Sequence, residues 1–140
     1  MPADLSAAEA VFTVTRFYRH LDNRNYKAIA ALMALGGVWH RQGAQLSGET
    51  AILEALGKRS PTLVIHHLLN NLFADIAADG NAEVTGYMLV ARYDSGTKLT
   101  DAAPFSGIEN IRTMHVTLVP TDAGWRVQRM STDPISFASP

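Results

Sequence analysis

The chain has 140 residues, enough for one domain with a sizeable hydrophobic core. It is 47% hydrophobic and 18% charged with a formal net charge of −1, which argues against nucleic acid or an anionic membrane as a partner. It contains no cysteine, so disulfides and thiolate metal sites are excluded. No apolar run approaches the roughly 20 residues of a transmembrane helix, and we expect no signal peptide and a cytoplasmic location.

The first predicted element is a helix over residues 7–23. Ser6 and Glu9 have the spacing of a capping box, in which the hydroxyl and the carboxylate satisfy reciprocal backbone donors. Apolar residues at helical spacing predict a buried stripe, which consists of Val11, Val14, Phe17, Tyr18 and Leu21.

Asp22 is placed near the end of this helix, four residues after Tyr18 and therefore on the same face. A carboxylate is disfavoured at a helix C-terminus by the helix dipole. Its simplest role is to begin a turn with Asn23, and a functional role requires a partner elsewhere in the chain.

Three short elements follow in the prediction. They are a second helix over residues 26–35, a strand over residues 38–42 and a third helix over residues 49–58. Gly36 and Gly37 favour the end of the first of these helices. Trp39, in the short strand, is expected to lie in the core or to line a pocket.

The longest predicted strand covers residues 63–76 and is apolar on both faces, with polar groups set into each. Because side chains alternate along a strand, His67 and Asn71 share one face with Phe73, and His66 lies on the other. A strand of this kind does not leave one face in water. One face is therefore expected to line a core or cavity, and the other to meet a second layer or a second subunit.

Three further strands are predicted over residues 82–93, 111–119 and 125–130. Gly86 inside the first of them indicates a bulge or a sharp bend. The connection over residues 94–110 is either mobile or a lid, and its Phe105 is the large apolar residue able to cap a cavity. His115, in the next strand, is a candidate second titrating group of the pocket.

Helices gathered at the start of a chain and strands at its end indicate the α+β class. Long strands around few helices must curve to enclose them. We therefore predict one domain over residues 1–140, with a curved antiparallel sheet wrapped around the N-terminal helices.

Motifs along the chain then add a family resemblance. They are Tyr18-x-x-x-Asp22-x-x-x-Tyr26, Gly48 before the third helix, His67-x-x-x-Asn71, the Gly-Asn-Ala-x-Val hairpin of residues 80–84, and Gly124-Trp125-Arg126-Val127. In this order and spacing they resemble the SnoaL-like branch of the nuclear transport factor 2-like superfamily over nearly the whole chain.

The resemblance implies a cone-shaped sheet of the cystatin-like α+β barrel type, with a pocket for a small hydrophobic molecule inside. It also implies a homodimer formed through the outer face of the sheet. The superfamily includes cofactor-free dehydratases such as scytalone dehydratase, dehydrochlorinases, ketosteroid isomerases and polyketide cyclases. Non-catalytic binding modules and the small subunits of ring-hydroxylating dioxygenases share the same cone.

In dehydratase-like members, an aspartate at the position of Asp22 orients a histidine at the position of His67, and that histidine removes a proton from the substrate. Neutral imidazole is a natural base, and a carboxylate bonded to one ring nitrogen fixes its tautomer. Tyr18 is then a candidate hydrogen-bond donor or general acid, and Asn71 a candidate substrate ligand. The alternative is a satisfied polar pair in the core.

A metal site is not expected, because the five histidines show neither helical i, i+4 spacing nor a His-x-His pattern. No cofactor motif is present either. Arg112 and Arg129 are candidates for binding an anionic part of a ligand, although solvated or interface arginines are commoner.

We therefore expect a cofactor-independent lyase or isomerase that acts on a small, mostly apolar substrate of aromatic, polyketide-like or steroid-like type. The candidate site residues are Asp22, His67 and Tyr18 for catalysis and Asn71, Trp39, His115 and Phe105 for substrate binding. The alternative is a non-catalytic small-molecule-binding or accessory domain, such as a ring-hydroxylating dioxygenase small subunit. The two differ in whether Asp22 and His67 meet inside a pocket.

Overall fold

The computed structural model describes residues 4–140 and contains three helices and a large sheet of the α+β class. The helices are α1 (Ala7–Asp22), α2 (Tyr26–Leu32) and α3 (Glu49–Gly57). The strands are β1 (Met33–Arg41), β2 (Ala44–Leu46), β3 (Val64–Ile76), β4 (Ala82–Tyr93), β5 (Asn110–Thr121), β6 (Gly124–Thr132) and β7 (Phe137–Ala138).

The main path of the sheet runs in the order β2-β1-β6-β5-β4-β3, with β7 paired to β5. The sheet is open and curves around the helices as a cone, as the sequence predicts. It is mixed rather than wholly antiparallel, because β1 pairs with β6 in parallel. This corrects the predicted antiparallel sheet. The chain passes through β3, β4 and β5 before β6 lies beside β1, and local sequence carries no signal for such a pairing.

The helix α1 begins with the predicted capping box and packs against the concave face of the sheet. The backbone N–H of Ser6 donates to Glu9 Oε2 at 2.7 Å, and the backbone N–H of Glu9 donates to Ser6 Oγ at 3.2 Å. Phe17 is fully buried and meets Trp39 edge-to-face, with ring centroids 5.0 Å apart. The Trp125 indole N–H donates to the Ser6 carbonyl at 3.0 Å and so joins the last long strand to the start of α1.

The predicted second helix is too long and the predicted first strand too short. The structure ends α2 at Leu32 and starts β1 at Met33, and the pairing of β1 with β6 shifts register between Met33 and Val38. The two glycines lie inside this shift rather than at a helix end. Gly37 allows close backbone approach, since a Cβ there would meet the Val127 carbonyl oxygen of β6 at 2.5 Å.

A β-bulge interrupts β3 where the sequence indicated an irregularity in its partner. Asn70 pairs with Tyr87 and Phe73 with Thr85, so two residues of β3 oppose Gly86 alone. Asn71 adopts a left-handed conformation with φ of 54°, and its backbone N–H donates to Asn70 Oδ1 at 2.8 Å. The extra residue therefore belongs to β3, and Gly86 leaves space for it, because a Cβ there would collide with the Leu72 side chain.

The bulge reverses the predicted faces of the second half of β3. Leu72 and Ala74 pack against the core, whereas Phe73 is 58% exposed, contrary to the simple alternation expected from sequence. His67 precedes the bulge and keeps its predicted inward face. Within residues 4–140, no helix combines the length and apolar character needed to cross a bilayer.

Candidate active site

A cavity of about 430 Å³ opens between the helices and the concave face of the sheet. Side chains from α1, β1, α3 and the strands β3 to β6 line it, together with residues of the segment between α3 and β3. The volume lies within the range of small-molecule sites in proteins.

Asp22 and His67 form a hydrogen-bonded pair, of which His67 lines this cavity. Asp22 Oδ1 lies 2.5 Å from His67 Nδ1, and Asp22 Oδ2 accepts the backbone N–H of His67 at 2.9 Å. The side chains are 13% and 10% exposed. Both oxygens of one carboxylate therefore engage one residue, which fixes the imidazole relative to its own backbone.

The end of α1 is held against β3 by an arginine that follows the helix. Arg24 has a positive φ of 59°, and its guanidinium donates to the carbonyls of Ser60 at 2.8 Å and Leu63 at 3.1 Å. These carbonyls lie just before β3. Asp22 is the last residue of α1, so this attachment places its carboxylate next to His67. The hydrogen bonds from His67 stabilise a carboxylate that the helix dipole disfavours at this position.

The second ring nitrogen of His67 is available to a ligand. Asp22 accepts at Nδ1, and no residue in the described part of the chain bonds to Nε2. His67 is among the residues that line the cavity. A neutral imidazole with its proton on Nδ1 therefore presents the lone pair of Nε2 as a proton acceptor.

Tyr18 is buried beside this pair. Its ring centroid lies 5.2 Å from that of His67, and its hydroxyl donates to Met130 Sδ at 3.6 Å. Burial raises the pKa of Tyr18 well above its ordinary value, an effect that the Arg112 and Arg41 charges partly oppose. The phenol therefore stays protonated and keeps its O–H as a donor, and a thioether is a weak acceptor that a ligand oxygen can replace.

The cavity is richer in basic groups than the sequence predicts for a mostly apolar substrate. Its lining contains five basic side chains and one acidic side chain, which are Arg41, Lys58, Arg59, Arg92, Arg112 and Glu109. Burial lowers the pKa of Arg41, and the neighbouring charge of Arg59 lowers it further. Positive charge in the cavity is therefore incompletely balanced.

Of the aromatic, amide and histidine side chains predicted to bind substrate, the structure brings only Trp39 to the cavity. Asn71 is the exposed bulge residue, which turns it away from the face of His67. Phe105 is 74% exposed and does not cap the cavity. These placements correct the assignments of Asn71 and Phe105.

His115 is also corrected, because the helices cover the opposite face of β5. Its Nε2 lies 3.0 Å from Asp133 Oδ2, and its side chain is 46% exposed. His66 is exposed on the outer face of the sheet, as alternation predicts. Arg129 is exposed and does not line the cavity, whereas Arg112 does.

Asn110 is a cavity residue that the sequence reading missed. It is 8% exposed and lies two residues before Arg112 on the inward face of β5. The available signal was its place at the start of an alternating inward row that continues through Arg112, Met114 and Val116. A polar residue at an inward position of such a row indicates a site.

No group of three or more histidines and carboxylates in residues 4–140 is arranged to hold a metal ion. The arrangement at the cavity is instead an imidazole held by a carboxylate, a neutral phenol donor and several cations. These groups lie together between the helices and the concave face of the sheet.

The chain belongs to the SnoaL-like domain family, whose model matches residues 5–131. This family of the nuclear transport factor 2-like fold includes polyketide cyclases and dehydratases.

Solved structures share the fold at low sequence identity. ActVI-ORFA from Streptomyces coelicolor is 17% identical, with a TM-score of 0.75 over 92% of this chain and 96% of that chain. A scytalone dehydratase-like protein from Novosphingobium aromaticivorans DSM 12444 is 19% identical, with a TM-score of 0.70 over 94% and 85%. An NTF2-like protein with a cystatin-like fold from the same organism is 22% identical, with a TM-score of 0.70 over 89% and 79%. Identities this low establish the fold alone.

One curated relative is similar over part of the chain. It is the 1,4-alpha-glucan branching enzyme GlgB of Thermobifida fusca (strain YX), 33% identical over 94 residues. The match covers 65% of this chain and 12% of that enzyme. This chain therefore matches only a small part of the relative's length.

Proposed function

We propose that the protein is a cofactor-independent lyase or isomerase in which His67 abstracts a proton from carbon. The observation that carries the proposal is the Asp22–His67 pair, bonded at 2.5 Å, with His67 in the wall of the cavity. General-base assistance of this kind contributes roughly 10²–10⁴ in rate. Because the family includes cyclases and dehydratases, the first substrates to test are aromatic, polyketide-like and steroid-like molecules.

The geometry supports a specific division of roles. Asp22 holds the proton on Nδ1 and stabilises the imidazolium that forms when Nε2 takes a proton from the substrate. The electron pair of the broken C–H bond passes into an enolate, or onward to expel a β-substituent. Tyr18 supplies a neutral hydrogen-bond donor next to the ring, and Trp39 forms part of the apolar wall.

The test is proton exchange with solvent, which requires no knowledge of the natural product. A panel of β-hydroxy and β-halo carbonyl compounds is incubated with the protein in D₂O, and NMR follows deuterium incorporation and elimination. We expect activity on at least one compound, lost by roughly 10²-fold or more in His67→Ala. His66→Ala is the matched control, since the neighbouring imidazole points to the outer face.

Two results would move the assignment. Activity that survives in His67→Ala excludes this residue as the base. Equal binding of the panel by wild type and His67→Ala, with no exchange in either, would identify the protein as a non-catalytic binding or accessory domain.

We also propose that the protein forms a homodimer through the outer face of the sheet. Apolar side chains on that face of β3 and β4 are exposed, with Leu68 at 45%, Phe73 at 58% and Tyr87 at 47%. Contiguous exposed apolar surface marks interaction sites. Light scattering should give twice the mass of one chain, and Leu68→Glu should restore the mass of one chain without loss of helical circular dichroism.

A further inference from the structure

We propose that Asn110 and Arg112 bind the polar edge of the substrate, and that the substrate class is hydroxy-substituted carboxylic acids. The inference rests on the proposed function for the location of the site and adds the chemistry that the site selects. It depends on two buried polar atoms in the cavity wall that have no partner.

The first unpartnered atom is Asn110 Oδ1, which is buried and accepts no hydrogen bond within residues 4–140. The amide nitrogen of Asn110 faces Glu109 Oε1 at 3.5 Å. A carboxylate only accepts, so this contact directs the NH₂ group toward Glu109 and leaves the oxygen turned away. A buried acceptor without a donor costs roughly 1–3 kcal/mol, which a ligand O–H would offset.

The second is Arg112 Nε, which is also buried and has no acceptor in the described chain. The guanidinium makes one long bond, from an Nη1 to Thr132 Oγ1 at 3.4 Å, and no carboxylate lies within ion-pairing distance among residues 4–140. A buried guanidinium nitrogen without an acceptor is unusual, since buried charged groups are normally paired. A carboxylate suits the forked donors of a guanidinium.

Strand pairing places these groups opposite the base. His67, Val90 and Asn110 are direct partners across three adjacent strands, and Leu69, Met88 and Arg112 form the next row. Neighbouring strands lie about 4.8 Å apart, so the backbones of Asn110 and His67, two strands apart in the sheet, are separated by about 10 Å. The cavity of about 430 Å³ that these residues line has the volume for a small ring system, bound at one edge by Asn110 and Arg112 and exposed at the other to His67 Nε2.

The charge of the cavity supports an anion rather than a neutral ligand. Arg41 and Arg59 add positive charge to the same lining, and Glu109 is the acidic side chain among the lining residues. Burial and then the neighbouring charge of Arg59 lower the pKa of Arg41, and the negative charge of a bound carboxylate would oppose this lowering.

The experiment measures binding by isothermal titration calorimetry with probes that contain no abstractable carbon-bound proton. The probes are 3-hydroxybenzoate, 3-methoxybenzoate and 3-hydroxybenzamide, which differ in the hydroxyl hydrogen or in the charge. We expect wild type to prefer 3-hydroxybenzoate to the methoxy compound by about 3–10-fold and to the amide by about 10–100-fold. Asn110→Leu should abolish the first preference and Arg112→Gln the second, whereas Arg129→Gln should keep both.

Thermal stability separates a ligand-binding role from a structural one. Removing an unsatisfied buried acceptor should leave the Tm of Asn110→Leu equal to or above that of wild type. A lower Tm together with a retained hydroxyl preference would make Asn110 a structural residue and overturn the inference. Failure of wild type to prefer 3-hydroxybenzoate over either analogue would also overturn it.

These outcomes are independent of catalysis. If the binding preferences hold and no compound exchanges deuterium through His67, the recognition site stands and the proposed enzyme activity fails. If His67-dependent exchange occurs on neutral compounds and does not respond to Asn110→Leu or Arg112→Gln, the activity stands and the substrate class fails.

Discussion

Replacing Asp22 with asparagine should invert the tautomer of His67. Both groups that Asp22 accepts from, the ring Nδ1–H and the backbone N–H, are donors on the same residue. An amide has one oxygen and one NH₂, so it can accept from only one of them. If the oxygen keeps the backbone N–H, the NH₂ group faces Nδ1, which must then accept, and the imidazole proton moves to Nε2.

The magnitude follows from the bonds lost. A hydrogen bond to a charged group contributes about 1.5–3 kcal/mol, and both side chains are largely buried, so Asp22→Asn should lower the free energy of unfolding by roughly that amount. The rate of any His67-dependent reaction should fall by roughly 10²–10⁴, because protonated Nε2 cannot accept a proton.

The assay is ¹⁵N-detected NMR of the imidazole, which identifies the protonated ring nitrogen without a substrate, together with urea unfolding. Wild type should carry its proton on Nδ1 and the variant on Nε2. Asp101→Asn, an exposed carboxylate in the loop after β4, is the control and should change neither result. A wild-type proton on Nε2, or an unchanged tautomer and stability in Asp22→Asn, would refute the reasoning.

Three further predictions concern stability. Gly86→Ala should cost roughly 1–3 kcal/mol in urea unfolding because its Cβ meets Leu72, whereas Gly57→Ala, with open space around it, should not destabilise; equal effects would contradict the packing argument. Arg24→Met should lower the unfolding free energy by roughly 2 kcal/mol and broaden the His67 imidazole signals, since its bonds hold α1 near β3; sharp, unshifted signals would argue otherwise. Tyr18 has a raised folded pKa, so its contribution is fully present below the unfolded value of about 10 and is lost as pH rises through the folded value. The free energy of unfolding should therefore fall more steeply with rising alkaline pH in wild type than in Tyr18→Phe. Parallel slopes would show that burial does not protect the phenol.

Local patterns in the sequence were sufficient for most elements of the fold. The capping box at Ser6 and Glu9 fixed the start of α1, and the apolar stripe of that helix predicted its buried face. The sequence could not supply the parallel pairing of β1 with β6, because two segments about ninety residues apart carry no shared local pattern. Gly86 indicated an irregularity, but a missing Cβ does not say which strand receives the extra residue.

Site residues were predictable where a family motif contained them. They were not predictable where the fold determines which way a side chain points. Asp22 and His67 were chosen through a family resemblance, and their contact depends on attachments such as that of Arg24, which no pattern revealed. His115 failed because the helices, rather than the strand itself, determine which face of β5 is inward. Phe105 failed because an apolar residue in a loop does not by itself indicate where that loop packs.

The bulge in β3 has a consequence for how this protein avoids aggregation. β3 is the last strand on its side of the sheet, and at 13 residues it is the longest strand described. A long apolar edge strand is a template on which another chain can add β-structure. Asn71, in its left-handed conformation, breaks the row of edge donors and acceptors and increases the local twist, so neither half of β3 offers a long flat edge. The bulge that turns Asn71 and Phe73 outward thus also limits the growth of the sheet into an intermolecular one.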